Sequence, residues 1–290
     1  MSDRRRAVVV TGASTGIGRA AAEALVAQGF HVFGSVRKPA DGQSLREQLG
    51  EHVTPLQFDV TDAEAIAAAV PVVQEFVGDD TLAGLVNNAG VAIGGALMHQ
   101  PTAELRQQFD INVFGLMEVT RAFLPLLGAR RPTPRSPGRI VNISSVGGRI
   151  AAPFIGAYSA SKHAVEALSD ALRRELMIYG VDVIVIQPGA IKTPIWDKAE
   201  AEDTAQYAGT DYAEIAGRFQ EFMVHKGRNG LEPSRVSSTI VRALTTSRPK
   251  TRYPIPDEPW MGWRLPRILP DRMIDRAIAK QLGLTPPDDD

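Results

Sequence analysis

The chain has 290 residues and no cysteine. This absence excludes disulfides, thiolate nucleophiles and cysteine-based metal sites, and it fits a protein that needs no oxidising compartment. The five histidines are scattered along the chain without a metal-ligand spacing. The sequence therefore predicts no metal site.

An excess of charge of either sign is also missing. Lys plus Arg number 32 and Asp plus Glu number 33, which leaves a formal net charge of -1. Because no basic field covers the whole molecule, binding to nucleic acid is not expected. Small neutral or modestly charged molecules are the favoured partners.

Long apolar runs are absent as well. No uninterrupted apolar stretch approaches the roughly 20 residues of a membrane-spanning helix. The beginning of the chain carries only the short run AVVV before a glycine turn, and this run is shorter than the apolar core of a signal peptide. We therefore expect a cytoplasmic protein.

The chain does contain a regular alternation of strand-like and helix-like stretches. Short apolar runs predict strands at 7–10, 31–36, 56–60, 82–90, 139–145 and 181–189. Apolar periodicity predicts helices at 19–29, 62–77, 102–127 and 158–179. Strands that alternate with helices indicate an α/β fold, with a doubly wound parallel sheet covered on both faces.

The sequence shows no sign of a division into several domains. The chain shows no internal repeat and no linker, and its 44% hydrophobic content is ample for one core. We expect a single domain over 1–290, with a cofactor-binding and catalytic core at 7–189. Residues 190–230 mix polar side chains with large apolar ones, which suits a lid over a ligand, and residues 231–290 form a C-terminal extension.

The extension combines two kinds of residue. A helix is predicted at 233–246 and a short strand at 251–255. Further on, apolar residues such as Trp260, Met261 and Ile268 alternate with arginines, a mixture compatible with a membrane interface. The alternative, which we favour, is that these apolar residues pack against the lid or another subunit and leave the arginines in water.

Three glycines, Gly12, Gly16 and Gly18, form a TGxxxGxG turn between the first predicted strand and the first predicted helix. Glycines allow a tight turn and a close approach of the backbone to a pyrophosphate, whose charge is favoured at a helix N-terminus. An ordinary strand-to-helix loop is the alternative. The position directly after the first strand favours dinucleotide binding.

The chain carries six short motifs in order: TGxxxGxG at 11–18, NNAG at 87–90, Asn112 within FDINVFG, ISS at 143–145, YSASK at 158–162 and PGAIKT at 188–193. Together they resemble the short-chain dehydrogenase/reductase family, and the stretch around YSASK resembles its steroid and retinol dehydrogenase branch. The resemblance implies a single-domain Rossmann fold with a seven-stranded parallel sheet. It also implies a homodimer or homotetramer.

The resemblance further implies four catalytic residues. Tyr158 would be the general acid when a ketone is reduced and the general base when an alcohol is oxidised. Lys162, one helical turn later, is expected to lower the pKa of the phenol and to hold the nicotinamide ribose. Ser145 would hydrogen-bond the substrate oxygen, and Asn112 would link Lys162 through water to a proton relay. A structural role for Asn112, and a solvated helix face for Tyr158 and Lys162, are the alternatives.

The cofactor is predicted from the end of the second strand. An acidic residue there accepts hydrogen bonds from the ribose 2′-hydroxyl of NAD, whereas the 2′-phosphate of NADP requires a cation. Ser35 holds the corresponding position and Arg37 and Lys38 follow, which favours NADP(H) over NAD(H), unless the two basic residues only form a solvated turn. Asp59 is expected at the adenine amino group. The other residues that the resemblance assigns to the cofactor are Gly12, Ser14, Thr15, Gly16, Ile17, Gly18, Val60, Asn88, Ala89, Gly90, Pro188, Gly189, Ile191 and Thr193, with Tyr158 and Lys162.

The sequence thus predicts an NADP(H)-dependent oxidoreductase that interconverts a secondary alcohol and a ketone. A lipophilic substrate, steroid-like or retinoid-like, agrees with the apolar and aromatic residues of the lid. One alternative is a reductase of 3-ketoacyl thioesters. The other, from a different class, is an NADP-binding sensor or scaffold without catalysis.

Overall fold

The computed structural model describes residues 6–201 and 203–285, and the ends of the domain predicted for 1–290 lie outside these described residues. The described strands are β1 (Ala7–Val10), β2 (His31–Val36), β3 (Val53–Gln57), β4 (Gly84–Asn87), β5 (Arg139–Ile143), β6 (Asp182–Pro188) and β7 (Arg252–Ile255). The described α-helices are α1 (Gly16–Ala27), α2 (Pro39–Leu49), α3 (Ala63–Val77), α4 (Thr102–Phe109), α5 (Leu116–Phe123), α6 (Gly156–Glu175), α7 (Ile195–Glu200), α8 (Ala213–Arg228), α9 (Pro233–Thr245) and α10 (Asp271–Leu282).

The strands form one parallel sheet in the order β3-β2-β1-β4-β5-β6-β7. The chain moves outward from β1 to β3, then returns to the other side of β1 and continues with β4. In such a sheet, ligands bind in the crevice at the carboxyl ends of the strands where the direction of winding changes. The predicted Rossmann fold, a single doubly wound α/β domain, is confirmed.

Strand β1 shows why both faces of the sheet are covered by helices. Val8, Val9 and Val10 have no exposed surface. Because successive side chains of a strand point to opposite faces, Val8 and Val10 pack with residues of α1 and α9, whereas Val9 packs with residues of α3 and α5. A strand buried on both faces is continuously apolar, as this one is.

Several predicted elements have different boundaries in the structure, among them one strand and one long helix. The strand predicted at 56–60 is β3, and Phe58 and Val60 lie beyond it in the connection to α3, although both are buried. Buried apolar residues therefore continue past the end of the strand, and for this reason the prediction placed the strand too late in the chain. The helix predicted at 102–127 is divided by a π-helical turn, Asp110–Gly115, between α4 and α5.

Residues 190–230 contain α7 and α8, joined by a stretch with a 3-10 turn, Thr204–Tyr207. Tyr207 and Phe219 pack with Phe154 in an apolar cluster separate from the core of the sheet, and Leu282 and Leu284 join this cluster from the C-terminal side. The tail is therefore anchored partly on the segment that precedes it.

Among the described helices, none is both long and apolar enough to cross a membrane.

Candidate active site

The loop between β1 and α1 contains the three glycines of the TGxxxGxG turn. Gly12 and Gly16 have φ angles of 65° and 57°, a backbone conformation that glycine adopts without strain. A Cβ atom on Gly18 would overlap the carbonyl oxygen of Gly12 and the Nδ2 atom of Asn88. The close approach of these chain segments therefore requires glycine at position 18.

Polar contacts hold the glycine turn against the loop that follows β4. Thr11 Oγ1 accepts hydrogen bonds from the backbone N–H groups of Asn88 and Ala89, at 2.9 and 3.0 Å. In return, Asn88 Nδ2 donates to the carbonyl oxygens of Thr11 and Gly12, at 3.0 and 3.2 Å. The two loops therefore form one unit at the carboxyl ends of β1 and β4. Sequence reasoning missed Thr11, whose signal was its position at the head of the glycine motif.

Ser35 has a different environment from the one predicted. Its side chain is buried, and its Oγ accepts a hydrogen bond from the backbone N–H of Gly12 at 3.0 Å. Its carbonyl oxygen accepts another from the N–H of Ala13 at 2.9 Å. Ser35 therefore supports the glycine turn, and β2 continues by one residue to Val36. The assignment of Ser35 to the cofactor stays a prediction, and the exposed side chains nearest to it along the chain are those of Arg37 and Lys38.

Arg37 and Lys38 directly follow β2 and are exposed. Arg37 Nη1 lies 3.9 Å from Asp59 Oδ2, and the two side chains are 66% and 38% exposed. The Oδ1 atom of Asp59 accepts hydrogen bonds from Thr61 N and Oγ1, at 3.0 and 2.8 Å. An exposed ion pair at this distance is weak, so the guanidinium is available to an anionic ligand.

The N-terminus of α1 fits a pyrophosphate. Its N-cap residue Thr15 makes no side-chain capping hydrogen bond, and the first turn holds no acidic residue. The positive end of the helix dipole is therefore not neutralised from within the helix. Thr193 Cγ2 lies 3.1 Å from the position that a Cβ on Gly16 would take, so the loop after β6 reaches the glycine turn.

The other residues assigned to the cofactor fall into two groups. Surface remains exposed at Ser14, Thr15, Ile17, Ala89, Gly90 and Gly189. Val60, Pro188 and Ile191 are buried, and the side chains of Val60 and Ile191 belong to the two core clusters. The assignment of these three residues to the cofactor stays a prediction.

Helix α6 carries Tyr158 and Lys162 near its N-terminus. Lys162 is buried; its Nζ donates to the carbonyl oxygen of Ile143 at 2.9 Å and lies 5.8 Å from the centroid of the Tyr158 ring. Burial lowers the pKa of Lys162 to about 8, and the carboxylate of Glu166 opposes this fall. The ammonium is thus held at the carboxyl end of β5.

Tyr158 contacts Ser145 through its hydroxyl. Burial raises the pKa of the Tyr158 phenol, and a hydrogen bond with Ser145 opposes the rise. The direction differs from the lowering expected from Lys162, because desolvation of the phenolate outweighs the favourable contacts. Ser145 Oγ also accepts a hydrogen bond from Gly147 N at 3.0 Å, which fixes the hydroxyl at the end of β5. The phenol is therefore protonated at neutral pH.

Asn112 lies in the π-helical turn and is buried. Its Oδ1 accepts from Val91 N at 2.9 Å, and its Nδ2 donates to Val91 O at 2.9 Å and to Ser161 Oγ at 3.0 Å. A Cβ on Gly90 would lie 3.1 Å from Asn112 Oδ1 and 3.7 Å from Lys162 Nζ. Asn112 thus joins the loop after β4 to α6, while its side chain borders the same space as the ammonium of Lys162; its place in a proton relay stays a prediction.

Sequence reasoning missed a buried carboxylate behind this group, that of Glu166. Its Oε1 accepts from Gln187 Nε2 at 2.9 Å, its Oε2 accepts from Arg252 Nε at 2.9 Å, and Arg149 Nη2 lies 3.4 Å from Oε2. These contacts join α6 to β6, to β7 and to the loop after Ser145. The available signal was the spacing, since Glu166 follows Lys162 by four residues on the same helical face.

The hydroxyl next to Ser145 behaves differently. Ser144 Oγ is buried and has no hydrogen-bond partner among the described residues.

Within the described residues, 6–201 and 203–285, no group of three or more His, Cys, Asp or Glu side chains is placed to hold a metal ion.

Comparisons with known proteins agree with this geometry. Residues 6–204 match the family model of the short chain dehydrogenases. The chain belongs to the short-chain dehydrogenase/reductase family. It is 43% identical to the NADPH-dependent 3-dehydrocapnine reductase of Ornithobacterium rhinotracheale, over 96% of this chain and 97% of that protein.

Two further comparisons place this short-chain dehydrogenase/reductase more closely. It is 36% identical to human retinol dehydrogenase 16, over 86% of this chain and 80% of that protein, in agreement with the steroid and retinol branch. The structure of a short-chain dehydrogenase/reductase from Burkholderia phymatum in complex with NAD superposes with a TM-score of 0.75 at 25% identity, covering 100% of this chain and 99% of that one. The chain is thus an oxidoreductase of this family.

Proposed function

We propose that the protein reduces a ketone to a secondary alcohol with NADPH. The observation that carries the proposal is the arrangement of three side chains: the Tyr158 hydroxyl is hydrogen-bonded to Ser145, and Lys162 Nζ lies 5.8 Å from the centroid of the Tyr158 ring. A protonated phenol in this place can donate a proton to a ketone oxygen, which is the step that a reduction requires. The relative named as an NADPH-dependent reductase supports the same direction.

The residues around the glycine turn fit NADPH. Gly12, Gly16 and the open N-terminus of α1 would hold the pyrophosphate, and Arg37 with Lys38 would meet the 2′-phosphate. NADPH, when bound, supplies the hydride that reduces the carbonyl carbon. Because one structural neighbour binds NAD, family likeness alone does not choose between the two cofactors, and the choice rests on Arg37 and Lys38.

Three side chains of the chain itself carry the proton chemistry. Ser145 Oγ, fixed by Gly147 N, would donate a hydrogen bond to the substrate oxygen as negative charge develops there. Tyr158 would then transfer its phenolic proton to that oxygen. Lys162, held at Ile143 O, would stabilise the phenolate that remains until solvent returns a proton. The ketone thereby gains one hydride and one proton in total.

A lipophilic substrate belongs to the proposal as well. Leu97 is 61% exposed, and its side chain lies 2.7 Å from the position that a Cβ on Gly156 would take, at the start of the helix that carries Tyr158. Tyr207 and Phe219, both from 190–230, pack with Phe154 in a buried apolar cluster just before this helix. Apolar walls bind ligands by burying apolar area, which supports the interpretation of this segment as a lid.

The mechanism is tested with a pair of neighbouring serines and the phenol. Purified protein would be given NADPH and a panel of steroid, retinoid, aliphatic and acetoacetyl-thioester ketones. Ser145→Ala should reduce kcat by about 100-fold, because one donor to the developing oxyanion is lost. Tyr158→Phe should reduce it by about 1,000-fold with NADPH binding retained. Ser144→Ala is the matched control, since the Ser144 hydroxyl has no hydrogen-bond partner among the described residues.

Full activity of Tyr158→Phe would contradict the proton transfer. Activity on thioesters alone would support the 3-ketoacyl-thioester alternative, and tight NADPH binding without turnover on any ketone would support a sensor or scaffold.

The cofactor choice is tested at Arg37. Arg37→Ala should lower kcat/KM for NADPH by about tenfold and leave that for NADH nearly unchanged, because a charge-assisted hydrogen bond to phosphate is lost. Arg106→Ala, an exposed arginine on α4, is the control. An equal loss with both cofactors would show that Arg37 does not read the 2′-phosphate.

A further inference from the structure

The last described part of the chain carries an unusual amount of exposed apolar surface. We call residues 260–282 the C-terminal segment. Trp260 and Met261 are each 68% exposed, Ile268 is 77% exposed and Met273 is 53% exposed. Large side chains of this kind in one short segment are not needed for the stability of the domain, and clustered apolar exposure marks an interaction surface.

Positive charge accompanies these apolar side chains. The C-terminal segment contains five basic and two acidic residues, whereas the whole chain has a net charge of -1. The positive charge is confined to the segment itself, because Asp257 and Glu258 precede it and three aspartates follow it at 288–290. The guanidinium of Arg264 lies 4.6 Å from the centroid of the Trp260 ring, and that of Arg267 lies 4.8 Å from the centroid of the Trp263 ring. Cations thus lie directly beside the aromatic rings.

Other side chains of the segment are attached to the protein. Trp263 is buried, and Ile274 and Ile278 of α10 are half-buried. Leu282 packs in the apolar cluster that also contains Phe219 of α8. The segment is therefore a folded element that is attached to the domain through some of its side chains, while the exposed side chains named above, which we call the exposed side, are turned to solvent.

We propose that this exposed side binds the surface of an anionic lipid bilayer. Tryptophan at the boundary between water and acyl chains, apolar side chains inserted beside it and arginines at the lipid phosphates are the features of an interfacial helix. A second copy of the chain fits less well. A symmetric dimer through this patch would bring the arginines of one copy towards those of the other.

The proposal is independent of the reaction, and its test measures lipid binding. The full chain would be sedimented with vesicles of phosphatidylcholine alone and with vesicles that contain about one third phosphatidylserine. Sedimentation with the anionic vesicles is expected, with release at high salt because screening weakens attraction between exposed charges and the membrane. The proposal is overturned if the protein binds neither type of vesicle, or binds both equally at every salt concentration.

Paired variants identify the surface. Trp260→Ser with Met261→Ser should weaken the partition to anionic vesicles by about tenfold, because both apolar groups leave the interface. Arg264→Gln should weaken it by about fivefold. Met177→Ser with Ile178→Ser is the matched control, since these side chains are 66% and 63% exposed elsewhere and should leave the partition unchanged.

Two further readouts separate lipid binding from misfolding and from self-association. A thermal unfolding curve of each variant should match that of the parent, since all the substituted side chains are exposed. Light scattering would detect a dimer that depends on Trp260, and such a dimer, without lipid binding, would overturn the proposal in favour of a second copy. Equal weakening by the Met177 and Ile178 control would also overturn it.

Discussion

The chain up to Pro188 and the chain after it are stabilised in different ways. In the first region, polar side chains pair across long distances in the sequence, as in the buried series Thr120, Asn87, Asn142 and Ser169, whose successive hydrogen bonds are each 2.9 Å long. In the second region, the helices within residues 195–228 are held by the apolar cluster around Phe219 and by partly exposed ion pairs such as those of Lys226 and Arg228, and several large side chains face solvent.

This difference shows where geometry is most strictly determined. A network of hydrogen bonds with fixed partners holds the proposed catalytic atoms within narrow limits, because each displacement would leave a buried polar group unpaired. Apolar contacts in the second region tolerate repacking, since they have no required direction. A fixed reaction centre and a ligand-facing region that can vary are consistent with this division.

We expect the largest loss of stability and activity in the first region when the charge of Glu166 is removed. Glu166→Gln removes the buried carboxylate that Arg252 and Arg149 share, and since Arg252 keeps Asp170 as a partner at 2.9 Å, the loss should be about 3 kcal/mol of the free energy of unfolding. The same change should move the alkaline limit of activity to lower pH. Lys162 titrates at about 8, the carboxylate raises this pKa, and its removal lets the ammonium lose its proton earlier.

The measurement is the pH dependence of kcat together with urea unfolding. Glu175→Gln, at the exposed end of the same helix, is the control. An unchanged alkaline limit in a folded Glu166→Gln protein would show that Glu166 acts only on stability.

The same substitution at two glycines, one in each region, should have opposite effects on the stability of the protein. Gly18→Ala places a methyl group against the backbone of Gly12 and should destabilise the protein by about 3 kcal/mol and abolish dinucleotide binding. Gly217→Ala, in α8, meets no atom of the described residues within 4 Å and should stabilise the protein by about 0.5 to 1 kcal/mol. Thermal unfolding and NADPH titration would check both, and equal effects would contradict the division into two regions.

The smallest expected difference in stability is between two variants that each lose one hydroxyl group, one in each region. Thr11→Val leaves the N–H groups of Asn88 and Ala89 without their acceptor and should cost about 2 kcal/mol. Tyr207→Phe leaves only Ala96 N without its acceptor, at 3.0 Å in the parent, and should cost about 1 kcal/mol. Only Thr11→Val should also weaken NADPH binding, and a loss of NADPH affinity in Tyr207→Phe would show that the outer segment helps to hold the cofactor.

Much of the fold follows from local patterns in the sequence. Continuous apolar runs and glycine turns predicted β1, β2 and the alternation with helices, because these depend on neighbouring residues. The end of β3 was not predicted, since Phe58 and Val60 are buried by distant parts of the chain after the strand has ended.

In the site, the motifs predicted which polar side chains are present, but not which groups these side chains contact. The spacing of Tyr158 and Lys162 followed from the helix, but the partner of each hydroxyl did not. Ser35 could have faced a ribose or the turn above it, and only the pairing of β1 with β2 places it against Gly12. The direction of the Tyr158 pKa shift likewise depends on burial, which a motif does not reveal.

The ion pairs of Arg252 bear on how this protein can be recombined with its relatives. The family model ends at residue 204, yet Arg252 in β7 contacts Glu166 at 2.9 Å and Asp170 at 2.9 Å, both on the helix that carries Tyr158 and Lys162. A chimera joined after residue 204 would therefore separate two carboxylates from their cation. Helix α6 and strand β7 are joined by these ion pairs, and a graft that keeps the pairs must exchange both elements together.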